Sequence, residues 1–218
     1  MPPKLTYENQ GYWDRRDRAE SWISRAESLK EQNLKEQEWD DDHDPFIFYW
    51  IAFNALYGQH DDIREKLDSK DIQKFLKRIY ELDQEDGSLS GILRNLKSKT
   101  DRLLNDQFLS KIYWKEGRST HFKQKQKKDS EKARNACEKG KWDEYLIILF
   151  ERLRVLRNQI FHGCSTDKKS LNKNSLRPAL EILEKLVPQF LKIFRERGQS
   201  YDWGKVPYPR KGSPQHPK

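Results

Sequence analysis

The sequence predicts an all-α protein, and two observations carry that prediction. Apolar residues recur at intervals of three or four along most of the chain, the spacing that places side chains on one face of a helix. No stretch shows the apolar–polar alternation between turn residues that is typical of a strand or hairpin. The 218 residues suffice for one domain with a proper core, so we expect a single-domain antiparallel helical bundle.

The first two predicted helices come from different patterns. From Trp13 to about Glu36, apolar residues at helical spacing face inward and the charged residues face outward. The apolar run "FIFYWIAFNALY" predicts the second helix, with Asp44 as N-cap, Pro45 as first helical residue and Gly58 just past the end. As a helix this run spans about 18 Å, against roughly 30 Å for a bilayer core. We therefore expect it inside the protein rather than in a membrane.

Three amphipathic segments follow. Residues 61–82 predict a helix that is interrupted near Ser69, and "DQEDGSLSG" predicts the turn after it. Residues 90–98 and 100–115 predict two shorter helices. The leucines, isoleucines and phenylalanines of these segments should contribute to the core.

Two long helices are predicted in the last third of the chain. The first contains "WDEYLIILFERLRVL", and its apolar stripe should face the core: Leu146, Leu149, Leu153, Leu156 and Ile160. The second is "LRPALEILEKLVPQFLKIFRER". Pro178 falls near its first turn, whereas Pro188 lies inside the helix and should kink it.

The C-terminal residues differ in composition from the rest. From Gly198 onward they contain four of the nine prolines and little core material. We expect a flexible tail or one that Trp203 pins to the surface. The expected division is a helical domain at 1–197 and a proline-rich tail at 198–218.

Charge and cysteine content restrict the class of protein. The formal net charge is +8 and the pI is near 9.3, which favours polyanionic partners. Cys137 and Cys164 are the only cysteines, too few for a disulfide framework, and they indicate a cytoplasmic setting.

The first residues contain no apolar segment of a secretory signal. We expect no cofactor and no bound metal, since consecutive acidic residues at 40–44 cannot all converge on one ion.

Basic residues are concentrated in one segment, 111–141, which carries eleven lysines and arginines against four acidic residues. Such a run is usually a solvated helix face or a mobile loop. The alternative is an arm that binds polyanions. Its lysines would then follow phosphates, while three aromatic rings stack on unpaired bases. The residues concerned are Lys123, Lys125, Lys127 and Lys128, with Tyr113, Trp114 and Phe122.

The stretch "RVLRNQIFHG" carries polar residues on an otherwise apolar helix. At about 100° per residue, Arg154, Asn158 and His162 form a second stripe roughly opposite the leucine stripe, so they should face away from the core. The long side chain of Arg157 can reach the same cleft. Gly163 is the expected C-terminal stop. The plain alternative is an ordinary solvated face of an amphipathic helix.

Two stretches together resemble the HEPN superfamily, the "higher eukaryotes and prokaryotes nucleotide-binding" domains. They are "DPFIFYWIAFNALYG" and "LRVLRNQIFHG", with a helical segment after the second. The similarity extends from about Trp13 to Arg197, although residues 111–141 and the tail match no part of the family pattern. It implies an all-α bundle that forms a homodimer, with an Arg-polar-x3-His element at the interface.

In active members of that family, this element is a metal-independent RNA endonuclease site. Arg157 matches the motif arginine, Asn158 the polar residue after it and His162 the histidine. RNA supplies its own nucleophile, the 2′-OH. A free imidazole has a pKa of about 6.5, so a histidine can act as a general acid or base near neutral pH. A guanidinium offers a planar set of donors to phosphate oxygens. Arg154 and the four lysines of the basic segment are the expected RNA-binding residues.

Two further roles stay open at this stage. The chain resembles a family that also contains binding and assembly modules, so a non-catalytic nucleotide- or RNA-binding scaffold is the alternative. A toxin or phage-defence effector, regulated by an antitoxin or other partner protein, is a possible biological setting for the enzyme. Because the motif contains one histidine per chain, simultaneous acid and base catalysis would be easiest if two protomers supplied one composite site.

Overall fold

The computed structural model describes residues 7–36, 42–59, 64–116, 120–162 and 173–208, and these ranges contain helices and connections but no strand. The all-α class is therefore confirmed. A 3₁₀ turn at Gln107–Leu109 accompanies the helices. In the described ranges they are α1 (Tyr7–Glu36), α2 (His43–Tyr57), α3 (Arg64–Leu82), α4 (Ser88–Asn95), α5 (Lys97–Asn105), α6 (Lys111–Glu116), α7 (Thr120–Glu138), α8 (Trp142–Phe161) and α9 (Lys173–Arg197).

The core forms where α2, α3, α8 and α9 meet. Phe53 of α2 is fully buried, and its ring lies 5.7 Å from Phe75, 4.6 Å from Phe150 and 5.9 Å from Phe190, measured between centroids. Large rings at tilted and edge-on angles bury much apolar area and gain favourable ring contacts. The apolar run of α2 is thus inside the protein, as predicted.

The start of α2 differs from the prediction. Its backbone bonding begins at Asp42, whose carbonyl accepts from Phe46 N–H at 3.2 Å, so Asp44 is a residue of the first turn and not the N-cap. The Asp42 carboxylate makes no capping bond and instead pairs with Arg177 of α9 at 2.7 Å. Pro45 is accordingly the third helical residue. Gly58 follows the end of α2, as expected.

The interruption predicted near Ser69 is wrong, because α3 runs unbroken from Arg64 to Leu82. The Ser69 hydroxyl donates to the Glu151 carboxylate of α8, so its polarity is satisfied by a tertiary contact. The following turn is shorter than predicted, since α4 already begins at Ser88. Buried Asp83 accepts from the Leu89 N–H at 2.8 Å and so holds the start of α4.

The single helix predicted over 100–115 is also wrong. The chain leaves α5 at Asp106, whose carboxylate accepts from the Phe108 N–H at 2.9 Å and from the Ser175 hydroxyl at 2.5 Å. A short acidic side chain that bonds nearby backbone competes with helix propagation. The helix predicted at 90–98 divides between α4 and α5, which meet at Leu96.

The basic segment is mainly helical. Its α7 runs antiparallel to α8 across the turn at 139–141, and Ala133 and Ala136 are buried. Asp129 of α7 pairs with the buried Arg152 of α8 at 2.6 Å. Over 120–138 the mobile-loop alternative is therefore wrong, and the helical one is confirmed.

The described C-terminal residues, up to Tyr208, pack on the helices. Trp203 donates from its indole to the Gly198 carbonyl at 2.7 Å, and its ring lies 4.7 Å from Phe194. Of the two alternatives for the tail, the structure favours the one pinned by Trp203. Residues 209–218 lie outside the described part.

The last helix is longer at its start than predicted. α9 begins at Lys173, so Pro178 lies inside it rather than near its first turn, and the helix continues through Pro188. Among the described residues, no helix combines the length and apolarity needed to cross a membrane.

Candidate nucleic-acid site at the end of α8

The leucine face of α8 is placed as the sequence predicts, whereas the polar face opposite is more buried than expected. The four leucines of the core stripe are fully buried, and Ile160 is partly buried against the core. On the opposite side the Arg154 side chain is only 14% exposed, Asn158 is half-buried, and His162 is exposed. His162 lies directly after the last helical residue, and its backbone N–H donates to the Asn158 carbonyl at 3.0 Å. Gly163, the predicted stop, lies outside the described residues.

Arg157 is held against aromatic rings. Its guanidinium carbon lies 5.3 Å from the centroid of Trp50 and 5.9 Å from that of Phe161. Cation–π contacts of this kind are attractive and help to position the guanidinium. Trp50 belongs to α2, so the apolar run and the motif, the two stretches that carry the family resemblance, meet at this side chain. Phe161 itself is 55% exposed.

Glu151 connects three helices beside the motif. Its carboxylate accepts from the Ser69 hydroxyl of α3 and pairs with Lys111 of α6 and, at 3.3 Å, with Arg154 of α8. Burial alone would raise the pKa of Glu151, but the bonds from Lys111 and Ser69 and the charge of Arg154 outweigh it, so the pKa is lowered. The arrangement orients Arg154. The sequence gives one clue to it, the i,i+3 spacing of Glu151 and Arg154.

One carbonyl oxygen connects α6 to the motif helix. Phe108 O accepts from the Trp114 indole at 2.8 Å and from the Gln159 amide at 2.8 Å. Gln159 is buried although it neighbours Asn158 in sequence. Sequence reasoning missed Gln159 and also Arg152, because an amphipathic pattern assigns such residues to solvent.

The four candidate lysines are exposed on α7. The Asp129–Arg152 pair fixes how α7 and α8 lie side by side. Because the helices are antiparallel, Lys123 to Lys128 flank the half of α8 that follows Arg152, which carries the motif. The structure therefore places basic residues and motif on the same end of the α7–α8 hairpin.

Metal-ligand groups are not assembled in this part of the protein. Among the described residues, no three His, Cys, Asp or Glu side chains are arranged to hold an ion. Of the acidic cluster, Asp42 is engaged with Arg177, and Asp40 and Asp41 lie outside the described residues. Cys137 is a partly buried thiol, and Cys164 lies outside the described ranges.

Comparisons of the chain with protein-family models, with curated proteins and with solved structures find no match.

Proposed function

We propose that this protein is a metal-independent RNA endonuclease that acts through Arg157, Asn158 and His162. The observation that carries the proposal is the geometry at the end of α8. An exposed imidazole directly follows the helix, Asn158 occupies the preceding turn, and Arg157 contacts two rings. The likeness of this motif and of the α2 run to HEPN domains supports the same assignment.

The chemistry needs only groups that the chain and RNA supply. A base removes the 2′-OH proton, and the 2′-oxygen forms a bond to phosphorus. The bond from phosphorus to the 5′-oxygen then breaks, and an acid protonates that oxygen. The products are a 2′,3′-cyclic phosphate and a 5′-OH. His162 exchanges the proton, Arg157 binds phosphate oxygens, and Asn158 orients the imidazole or the phosphate.

Simultaneous general-acid and general-base catalysis requires two proton-transfer groups, whereas the motif contains one histidine. We propose that two copies of the chain form a composite site along the polar stripe of α8, around the exposed His162. Light scattering should accordingly give the mass of a dimer at micromolar concentration. A monomer there would contradict the composite site.

The decisive experiment is RNA cleavage in excess EDTA with analysis of the product ends. We expect cleavage to persist, to leave cyclic phosphate and 5′-OH ends, and to spare the all-deoxy analogue. Loss of activity on chelation, or equal cutting of DNA, would contradict the mechanism.

The second candidate is a non-catalytic RNA-binding module, and the exposed lysines of α7 favour it. Binding through phosphates needs no reactive group. Tight RNA binding without any cleavage by the purified dimer would support this candidate over the enzyme. A toxin or phage-defence role, with a regulating partner protein, is compatible with either candidate.

A further inference from the structure

We infer that Trp114 is a base-stacking residue that holds single-stranded RNA next to the motif. The inference rests on the proposed function in taking RNA as the ligand, and it adds a residue that selects unpaired strands. It is independent of whether the bound RNA is cut.

The first observation is that the Trp114 ring is both exposed and fixed. Its side chain is 54% exposed, although its indole N–H is already bonded to the Phe108 carbonyl. The Tyr113 ring meets it edge-on at 5.2 Å, and Phe108 in turn meets Tyr113 at 5.1 Å. An exposed ring whose polar atom is engaged presents an apolar face to solvent. A ligand that stacks on it orders little that is not already ordered.

The second observation is position. The Phe108 carbonyl also accepts from Gln159, so the indole lies beside the Gln159 side chain of α8. Gln159 directly follows Asn158 and precedes His162 by three residues, which places it within a helical turn of both. Phe161, a strongly exposed ring at the end of α8, is on the same terminal turn as Gln159. A base stacked on Trp114 would therefore bring its neighbouring phosphates toward the motif.

The third observation is charge. Lys115 follows Trp114 and is exposed, and α6 packs against α7, which carries the exposed Lys123 and Lys125. Exposed aromatic faces set among cations are how proteins bind single strands, with stacking contacts that tolerate any base and lysines that follow the backbone. A duplex hides its base faces, so the ligand that fits is unpaired RNA.

Binding is best measured in a His162→Ala background, so that the RNA stays intact. The probe is a fluorescein-labelled single-stranded RNA oligonucleotide, titrated at several salt concentrations by anisotropy. Trp114→Ala should weaken binding by about 5- to 150-fold, the range of one lost stacking contact. Trp114→Phe, which keeps a ring, should retain most of the affinity.

Two controls separate stacking from other effects. Tyr208→Ala removes an even more exposed ring from the C-terminal segment, where Arg18 binds the Tyr208 carbonyl, and should leave the affinity unchanged. Changing the lysines at 123, 125, 127 and 128 to glutamine should flatten the salt dependence by about 0.7 in log–log slope per lost phosphate contact. Trp114→Ala should leave that slope unchanged, because stacking releases no counterions.

Unchanged affinity in Trp114→Ala would overturn the inference. So would an equal loss in Trp114→Ala and Trp114→Phe, because the indole bond and not the ring would then matter. Loss of the dimer by light scattering in Trp114→Ala alone would assign the ring to a protein interface and overturn it too. Wild-type protein that binds but does not cut RNA would contradict only the nuclease proposal.

Discussion

Two arginines at different places in the molecule do different work. Arg15 of α1 is fully buried, and its guanidinium donates to the carbonyls of Leu56 at 3.1 Å, Trp203 at 3.0 Å and Lys205 at 3.2 Å. Arg157 of α8 is half-buried against ring faces beside an exposed histidine. The first arginine is enclosed by fixed backbone, whereas the second lies at the edge of an accessible face.

The surroundings of Arg15 explain why a buried cation is tolerated: backbone carbonyls accept its hydrogen bonds, and the charges of Asp71 and Asp202 act on it favourably. The Leu56 carbonyl belongs to the last turn of α2, where the helix dipole is negative. Burial, and then the nearby charge of Arg18, lower the pKa of Arg15 to about 10, so it remains protonated at neutral pH. Arg15 thereby ties α1, the end of α2 and residues 203–205 together. Buried backbone carbonyls thus hold Arg15 as part of the fold, whereas the end of α8 leaves the His162 side chain exposed.

The largest expected effect is on RNA cleavage, and it tests the role proposed for His162 at the end of α8. His162→Ala should lower RNA cleavage by about 10² to 10⁴, the scale of a general acid or base. The free energy of unfolding should change by no more than about 0.5 kcal/mol, because the side chain is exposed. Cleavage rate, RNA affinity and melting temperature, measured on the same preparations, check this prediction.

Arg157→Lys is the matched variant for that experiment. It keeps the charge but loses the planar fork, so cleavage should also fall strongly while RNA affinity is largely kept. Wild-type cleavage in His162→Ala would end the catalytic assignment. A large drop in its melting temperature would make His162 a structural residue and break the contrast with Arg15.

The second prediction tests how much the buried Arg15 stabilises the fold. Arg15→Met keeps bulk but leaves several buried carbonyls without a donor, so the free energy of unfolding should fall by about 3 to 5 kcal/mol. Cleavage per folded molecule should stay near the wild-type value. Denaturant unfolding, together with activity assays below the transition, checks both statements.

Arg18→Met is the control, since Arg18 binds the carbonyl of Pro207 at 2.7 Å nearer the surface. Its loss should lower the free energy of unfolding by no more than about 1 kcal/mol. Equal destabilisation by the two variants would show that burial of Arg15 is not what matters.

The sequence predicts the helical class and the buried leucine face of α8 because apolar periodicity records which side of a helix is buried. It does not predict Arg15, since periodicity assigns a charged residue of α1 to solvent and the carbonyls that enclose it come from distant parts of the chain. Ser69 shows the same limit. Its hydroxyl is typical of a helix break, yet a carboxylate on α8 satisfies it within an unbroken helix. Polar contacts between distant elements depend on tertiary packing and leave no periodic pattern.

The smallest expected effect is the pH dependence of the stability that Glu151 contributes beside the motif, in contrast to the contacts of Arg15. Glu151 holds α3, α6 and α8 together through charge, whereas the Arg15 cage uses carbonyls that do not titrate. Because the pKa of Glu151 is lowered from 4.5 in the folded protein, its stabilisation is present above that value and is lost as the pH falls through the folded pKa. At pH 7, Glu151→Gln should reduce the free energy of unfolding by about 1 kcal/mol, since the site is only partly shielded from solvent.

Urea unfolding of wild-type protein and Glu151→Gln from pH 7 to below pH 4 measures this contribution. The difference between them should shrink as the wild-type carboxylate becomes protonated, because a neutral acid and an amide no longer differ in charge. Glu144→Gln, which removes an exposed partner of Lys141, is the control and should show no comparable difference at pH 7. A gap between wild type and Glu151→Gln that persists unchanged in acid would assign the effect of Glu151 to packing. The helices beside the motif would then be held together, like the carbonyls around Arg15, by contacts that do not depend on pH.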